Sequence, residues 1–207
     1  MSDEEQEHMD PEWITGTFII LGHCENPECK QAVHGTGDYH VAESDKSWSE
    51  ERQNYYSSYY TVKHFHPPLL MMPAPKTAPD QVKGAILRAS RVLFTDPGLA
   101  ATALRATVEV FLTTQNIAAT LPNGKFRSAH ERIKEWVDAD PTRPHLADLF
   151  FAIKWLGNIG THEDADLTTL QVLDGARVLD EAFHRLFTAP SIVAHAQALN
   201  AGKGSTP

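Results

Sequence analysis

Cysteine is nearly missing from this sequence. Cys24 and Cys29 are its two cysteines in 207 residues, too few to staple a disulfide scaffold, and they predict a chain that folds on its own core in a reducing, cytoplasmic compartment. No apolar run approaches the ~20 residues that a spanning helix needs, and the start is acidic where a secretion signal requires basic residues; neither a membrane partner nor export is expected. No Gly-rich phosphate loop followed by Lys-Ser or Lys-Thr occurs, no Gly-x-Ser-x-Gly elbow and no His-Glu-x-x-His pair, so ATPase, serine-hydrolase and zincin chemistry have no motif to stand on. No repeat of solenoid length appears.

Positive charge is also scarce: 18 Lys and Arg against 27 Asp and Glu give a net charge of -9, which opposes the basic footprint expected of a nucleic-acid binder. Its distribution moderates that. Asp3, Glu4, Glu5, Glu7, Asp10 and Glu12 crowd residues 1–12 without one Lys or Arg, and such a stretch is expected to be a disordered, solvated tail, leaving the rest near neutrality. The hydrophobic content of 42% is that of an ordinary globular chain.

Patterning divides the remainder. Thr17 to Leu21, a β-branched apolar run between Gly16 and Gly22, reads as a buried strand; Tyr39 to Ala42 follows a Gly-Thr-Gly turn, and Tyr55 to Phe65 places Tyr56, Ser58, Tyr60 and Val62 on one face. These predict a small antiparallel sheet of about three strands over residues 13–66, with residues 43–54 as an exposed loop. Five prolines between Pro67 and Pro79 predict an extended connector over 67–79. From residue 80 to about 200 the period becomes helical: Val82, Ile86, Ala89 and Leu93 form a first stripe, and Asp96-Pro97 supplies the cap and first residue of a second helix bearing Leu104, Val108, Phe111 and Leu112. A third helix near 127–138, a fourth from about Leu146 and a fifth capped by Asp166 complete the expected bundle, and residues 201–207 should fray. The fold class is α+β, a small antiparallel β-rich N-terminal module followed by an α-helical bundle.

Two places carry candidate chemistry. In Gly157-Asn158-Ile159-Gly160-Thr161-His162 an amide and an imidazole stand four residues apart, on one face if helical geometry continues, and each glycine costs a helix interior roughly 1 kcal/mol relative to Ala; they imply close backbone approach or a helix end. Arg105 and Glu109, one turn apart, predict an ion pair, and Lys154 stands one turn before Asn158. A structural bridge at the bundle edge and a helix C-cap at Gly160 are the alternative readings. In the N-terminal module Cys24 and Cys29 make half a metal site, for which His23 and His34 are candidate partners beside His40, His64 and His66; two thiols packed near a small sheet is the alternative.

His23-Cys24 to Cys29, His66-Pro67-Pro68, Leu104-Arg105 with Glu109, Arg132-Ile133 and the closing Gly157 to His162 motif occur in an order that resembles the domain of unknown function 4145 family over roughly residues 13–190. That family is similar to the HEPN superfamily of helical domains, whose ribonuclease motif is an arginine, a polar residue, three further residues and a histidine. Aligned on His162, Asn158 takes the polar place and Gly157 the place of the arginine. The resemblance implies a HEPN-like helical bundle, a homodimer with motif faces together, and RNA or single-stranded nucleic acid as partner in bacterial phage-defence or toxin-antitoxin systems. It implies RNA cleavage without metal or other cofactor at the bundle, with His162 moving a proton, Arg105 or Lys154 neutralising phosphate charge, Asn158 orienting the ribose or imidazole and Glu109 holding Arg105. Related chains often carry a Cys-x-x-Cys pair at this place, so the longer Cys24-to-Cys29 spacing is either a structural zinc site completed by residues such as His23 and His34 or a degenerate remnant of one. A module that binds a protein partner without catalysis is the alternative.

Overall fold

The computed structural model of the chain describes residues 10–25, 27–28, 30–43, 56–162 and 166–202, and these divide into two compact units, residues 1–68 and 69–207. Most of the expected acidic tail and the loop at 44–55 lie outside the described residues. Asp10 itself accepts a hydrogen bond from the Glu12 amide at 3.0 Å and caps a 3-10 turn over Pro11–Trp13.

The first unit is a three-stranded antiparallel sheet in the order β1 (Thr15–His23), β2 (Ala32–Glu43) and β3 (Tyr56–His66). Two expectations change here. The run Thr17 to Leu21 lies in an edge strand whose Ile19 and Leu21 are 74% and 75% exposed, because a short apolar run marks a strand without saying what covers it. The Gly-Thr-Gly sequence is no turn; it lies inside β2 beside a bulge at Thr36/Gly37. A Cβ on Gly35 would stand 3.0 Å from the Phe65 ring, and one on Gly37 would meet the Phe18 ring and the Thr61 carbonyl. The glycines therefore let cross-strand aromatic rings lie flat on the backbone, and Phe18 continues edge-on to Tyr60 at 5.2 Å.

In the second unit the helices are α1 (Asp80–Val92), α2 (Pro97–Thr114), α3 (Ala129–Asp138), α4 (Pro144–Ile159), α5 (Thr169–Phe183) and α6 (Ala189–Gly202), the last two joined by a π turn over His184–Thr188. The Pro-rich segment is not a free connector. Met71, Met72 and Ala78 are buried with the helical core, the Met71 amide donates to Ser90 Oγ at 3.2 Å and Thr77 Oγ1 to the Phe187 carbonyl at 2.8 Å. The scarcity of donors that predicts an extended connector does not say what covers it; its apolar side chains pack into the helical core.

α2 is the central helix. Its Leu104, Val108, Phe111 and Leu112 are fully buried, and the Phe111 ring meets Trp136 of α3 at 5.3 Å, Phe150 of α4 at 5.4 Å and Phe183 of α5 at 5.7 Å. One aromatic side chain thus touches three helices, a concentration of apolar area and ring contacts that fixes their arrangement. The helix ends follow local chemistry. Asp96 Oδ1 accepts from the Leu99 amide at 2.8 Å ahead of Pro97. Thr168, not Asp166, caps α5, since Thr168 and Gln171 each accept the other's backbone amide while nothing ties Asp166 to the helix start. Pro144 is the first residue of α4, where its missing amide costs nothing.

Ser128 and Glu131 form the same reciprocal cap on α3, with the Ser128 amide donating to Glu131 Oε2 at 2.7 Å. That backbone bond first, then the Ser128 hydroxyl, holds the Glu131 carboxyl below its ordinary range. Because the folded value is depressed, the stabilisation is present above the unfolded value and is lost as pH falls through the folded one, below about pH 4. Glu131→Gln, which keeps the acceptor and removes the titration, should therefore show a smaller drop in Tm between pH 6 and pH 3 than the parent chain, as read by circular dichroism.

Candidate functional site

The motif around Asn158 is placed by a helix crossing. α4 lies so close to the start of α2 that a Cβ on Gly157 would overlap the Arg105 Cβ and stand 3.0 Å from the Ala101 carbonyl. A Cβ on Gly160 would run into the Gly98 carbonyl. Gly160 has φ -62° and ψ -9°, an ordinary right-handed conformation. Both glycines are thus explained by contact, and Gly160 is at the same time the C-cap of α4, so close backbone approach and helix end both hold. Thr102 Oγ1 secures the crossing, donating to the Gly98 carbonyl at 3.1 Å with the Gly157 carbonyl 3.5 Å away.

This proximity joins Arg105 to Asn158. The guanidinium donates from Nη1 to Asn158 Oδ1 at 2.8 Å and from Nε to Glu109 Oε1 at 3.0 Å. The Arg105 and Glu109 side chains are 31% and 26% exposed, so the pair sits at the rim of the bundle with a guanidinium edge facing solvent. Bracing from two sides fixes the plane of that guanidinium, which is the condition for fork-like recognition of a phosphate or carboxylate.

Glu109 has a second cationic neighbour. Arg132 Nη1 is 3.9 Å from Glu109 Oε2, and Arg132 is buried, with Nε donating to the Ile117 carbonyl at 3.0 Å and Nη2 to the Glu109 carbonyl at 2.9 Å and Thr113 Oγ1 at 2.7 Å. Burial pushes its pKa down, Glu109 opposing the shift and Arg127 adding to it. Arg132 does not share an open cleft with Arg105: its guanidinium is spent on the Ile117 carbonyl of the loop after α2 and on the Glu109 carbonyl and Thr113 hydroxyl within α2. Thr113 and the Ile117 carbonyl are partners that sequence spacing did not indicate, although Thr113 stands one turn after Glu109.

His162 and Lys154 do not complete the cluster. After Ile159 the helix tightens, with the Thr161 amide donating to the Asn158 carbonyl at 3.1 Å and the His162 amide to the Ile159 carbonyl at 3.0 Å. Three-residue spacing advances each residue about 120° instead of 100°, which rotates His162 off the face that an α-helix would have shared with Asn158. Its side chain is exposed, and no hydrogen bond joins it to Arg105 or Asn158 among the described residues. Lys154 Nζ lies 3.4 Å from the centroid of the Trp155 ring, a cation–π contact that spends its charge on a neighbour.

In the sheet, His23 ends β1, Cys24 follows it half-buried, and His34 in β2 pairs with His66 of β3. Cys29 lies outside the described residues. Among the described residues no group of three or more His, Cys, Asp or Glu is placed to hold a metal ion.

The crossing carries a direct prediction: Gly157→Ala forces α4 from α2 and should cost about 1–3 kcal/mol, measured by urea unfolding, whereas Gly124→Ala in an exposed turn should leave the Arg105–Asn158 contact unchanged.

No described helix is long and apolar enough to cross a membrane. No curated protein and no solved structure matches the chain. A family profile described as Domain of unknown function (DUF4145) does match, over residues 87–201, which takes in all of α2 to α5, the Arg105–Asn158 contact and more than half of the chain; by that match the protein belongs to the DUF4145 family.

Proposed function

We propose that the rim formed by Arg105, Glu109, Asn158 and the turn bearing His162 is an RNA-contacting surface of a HEPN-like domain, acting in a cytoplasmic defence or toxin-type system. The observation that carries the reading is the half-exposed Arg105 guanidinium, held between Glu109 at 3.0 Å and Asn158 at 2.8 Å. It supplies, from a different helix, the positive charge that a glycine at position 157 cannot. The helical unit carries as many basic as acidic residues, so the whole net charge of -9 belongs to residues 1–68; the surface around Arg105 is thereby spared the repulsion that the overall charge suggests.

In the catalytic form of this reading His162 takes the proton of a ribose 2′-hydroxyl. The 2′-oxygen attacks phosphorus, the bond to the 5′-oxygen breaks, and that oxygen receives a proton from water or from His162 of a second copy, leaving a cyclic phosphate and a 5′-hydroxyl. Arg105 binds the phosphate oxygens as charge develops on them, and Asn158 and Glu109 keep its plane fixed. A second copy of the chain would bring two such rims together; Trp155 and Ile159, 59% and 49% exposed one turn apart on α4, offer the apolar contact for it. Those two residues also favour the other reading, a non-catalytic module that docks a protein partner at this face.

With purified protein and a mixed-sequence single-stranded RNA, Arg105→Ala should weaken binding about tenfold or more, as loss of a charge-assisted hydrogen bond implies, and His162→Ala should slow cleavage by ~10² or more while leaving binding unchanged. RNA binding that Arg105→Ala does not weaken would overturn the surface; equal cleavage by parent and His162→Ala would leave a binding module.

A structural zinc at Cys24, Cys29, His23 and His34 is a separate part of the proposal, motivated by a half-buried thiol that follows His23 at the end of β1. Metal analysis of purified protein should find close to one zinc per chain, and Cys24→Ser should lose it.

A further inference from the structure

Between α1 and α2, away from the Arg105 rim, a cleft of about 480 Å³ is lined by Gln81 and Arg88 from α1 and by Val110, Thr113 and Thr114 from α2. Its size falls in the ~300–1,000 Å³ range of small-molecule sites. Two features of α1 distinguish it from an ordinary groove between helices. Arg88 is exposed and has no hydrogen bond or ion pair to any other described residue. Gly84, which falls between Gln81 and Arg88 on the same helical face, breaks the propensity of α1 at a cost of roughly 1 kcal/mol with no packing reason: a Cβ there would touch only Arg88 Nη1, at an ordinary 3.6 Å. The contrast is with Gly157 and Gly160, where neighbouring helix atoms leave no room. At Gly84 a side chain would find open space beside the Arg88 guanidinium.

We propose that this cleft binds a small organic monocarboxylate carrying an apolar group. A single unpaired guanidinium matches a single negative charge and presents the parallel donors that a carboxylate accepts. Gln81 adds an amide beside it. The Val110 side chain receives the apolar part. The opposite wall is already fixed: Thr113 Oγ1 donates to the Glu109 carbonyl at 3.0 Å and accepts from Arg132 at 2.7 Å, and Thr114 Oγ1 donates to the Phe111 carbonyl at 2.7 Å. Their rotamers are therefore held before any ligand arrives, which lowers the ordering cost of binding.

The test titrates the full chain with sodium benzoate and with sodium hexanoate, following backbone amide shifts by NMR and heats by calorimetry, with sodium chloride at matched ionic strength as control. The expected result is saturable binding of one carboxylate per chain at millimolar concentration or below, with amide shifts at Gln81, Gly84, Arg88, Val110, Thr113 and Thr114. Arg88→Ala should weaken binding at least tenfold. Gly84→Leu places an apolar side chain against the Arg88 guanidinium and should abolish binding while holding or raising Tm, a pair of effects that loss of folding cannot mimic. No saturation with either carboxylate, shifts confined to other residues, or binding retained by both variants would each overturn the proposal. Because neither variant touches Arg105, Asn158 or His162, these outcomes are independent of any RNA measurement.

Discussion

The helical unit depends on two helices approaching where one of them carries no side chain. At Gly157 and Gly160 the backbone of α4 meets Ala101, Gly98 and the stem of Arg105; a methyl group at either glycine would hold the helices apart. What makes this approach tolerable is the price in helix propensity being met by burial elsewhere on the same elements, since Phe111 of α2 and Phe150 of α4 are both completely enclosed. The crossing then determines what can be built at its edge. Arg105 projects from the contact with its stem pressed against Gly157, so its guanidinium can reach only a short way, and Asn158, the next residue of α4, is what it reaches.

From that edge inward the polar groups form a graded series. Arg132 is buried and bonded to the Ile117 and Glu109 carbonyls; Glu109 stands between it and Arg105; the Arg105 side chain is partly exposed. Opposite charges alternate along this series, so each stabilises its neighbours, and the buried end is the more demanding one because an unpaired group there would bear its full desolvation cost. The inner arginine is spent on the fold, and the outer one stays partly exposed at the rim. Identical residue types thus acquire different roles from depth alone.

Much of the architecture could be read from residues whose meaning is local. Asp96-Pro97 marks a helix start because a carboxylate and a proline solve the same problem of unpaired amides, and the stripe Val82, Ile86, Ala89 and Leu93 is buried in full. The Arg105–Glu109 pair was legible from a four-residue spacing, and the hydrogen bond from Arg105 to Asn158, 53 positions away, was visible only as glycines unsuited to a helix. Where meaning depends on distant chain, the reading failed. Gly35-Thr36-Gly37 looks like a turn until Phe65 and Phe18 cover it from neighbouring strands, and His162 looks aligned with Asn158 until the helix tightens after Ile159. Arg132 gives no sign in its own surroundings that the Ile117 carbonyl, 15 residues earlier, will claim it.

The uneven division of charge has a consequence for how the molecule behaves in concentrated solution. The helical unit, with its balanced charges, lacks the net repulsion that keeps copies of a protein apart, while it exposes Trp155, Ile159, Leu99 and Leu170. Colloidal stability of the whole chain is therefore supplied by the strand-bearing unit, an acidic neighbour acting as a covalently attached solubiliser. Separated from it, the helices would keep their packing and lose their dispersion.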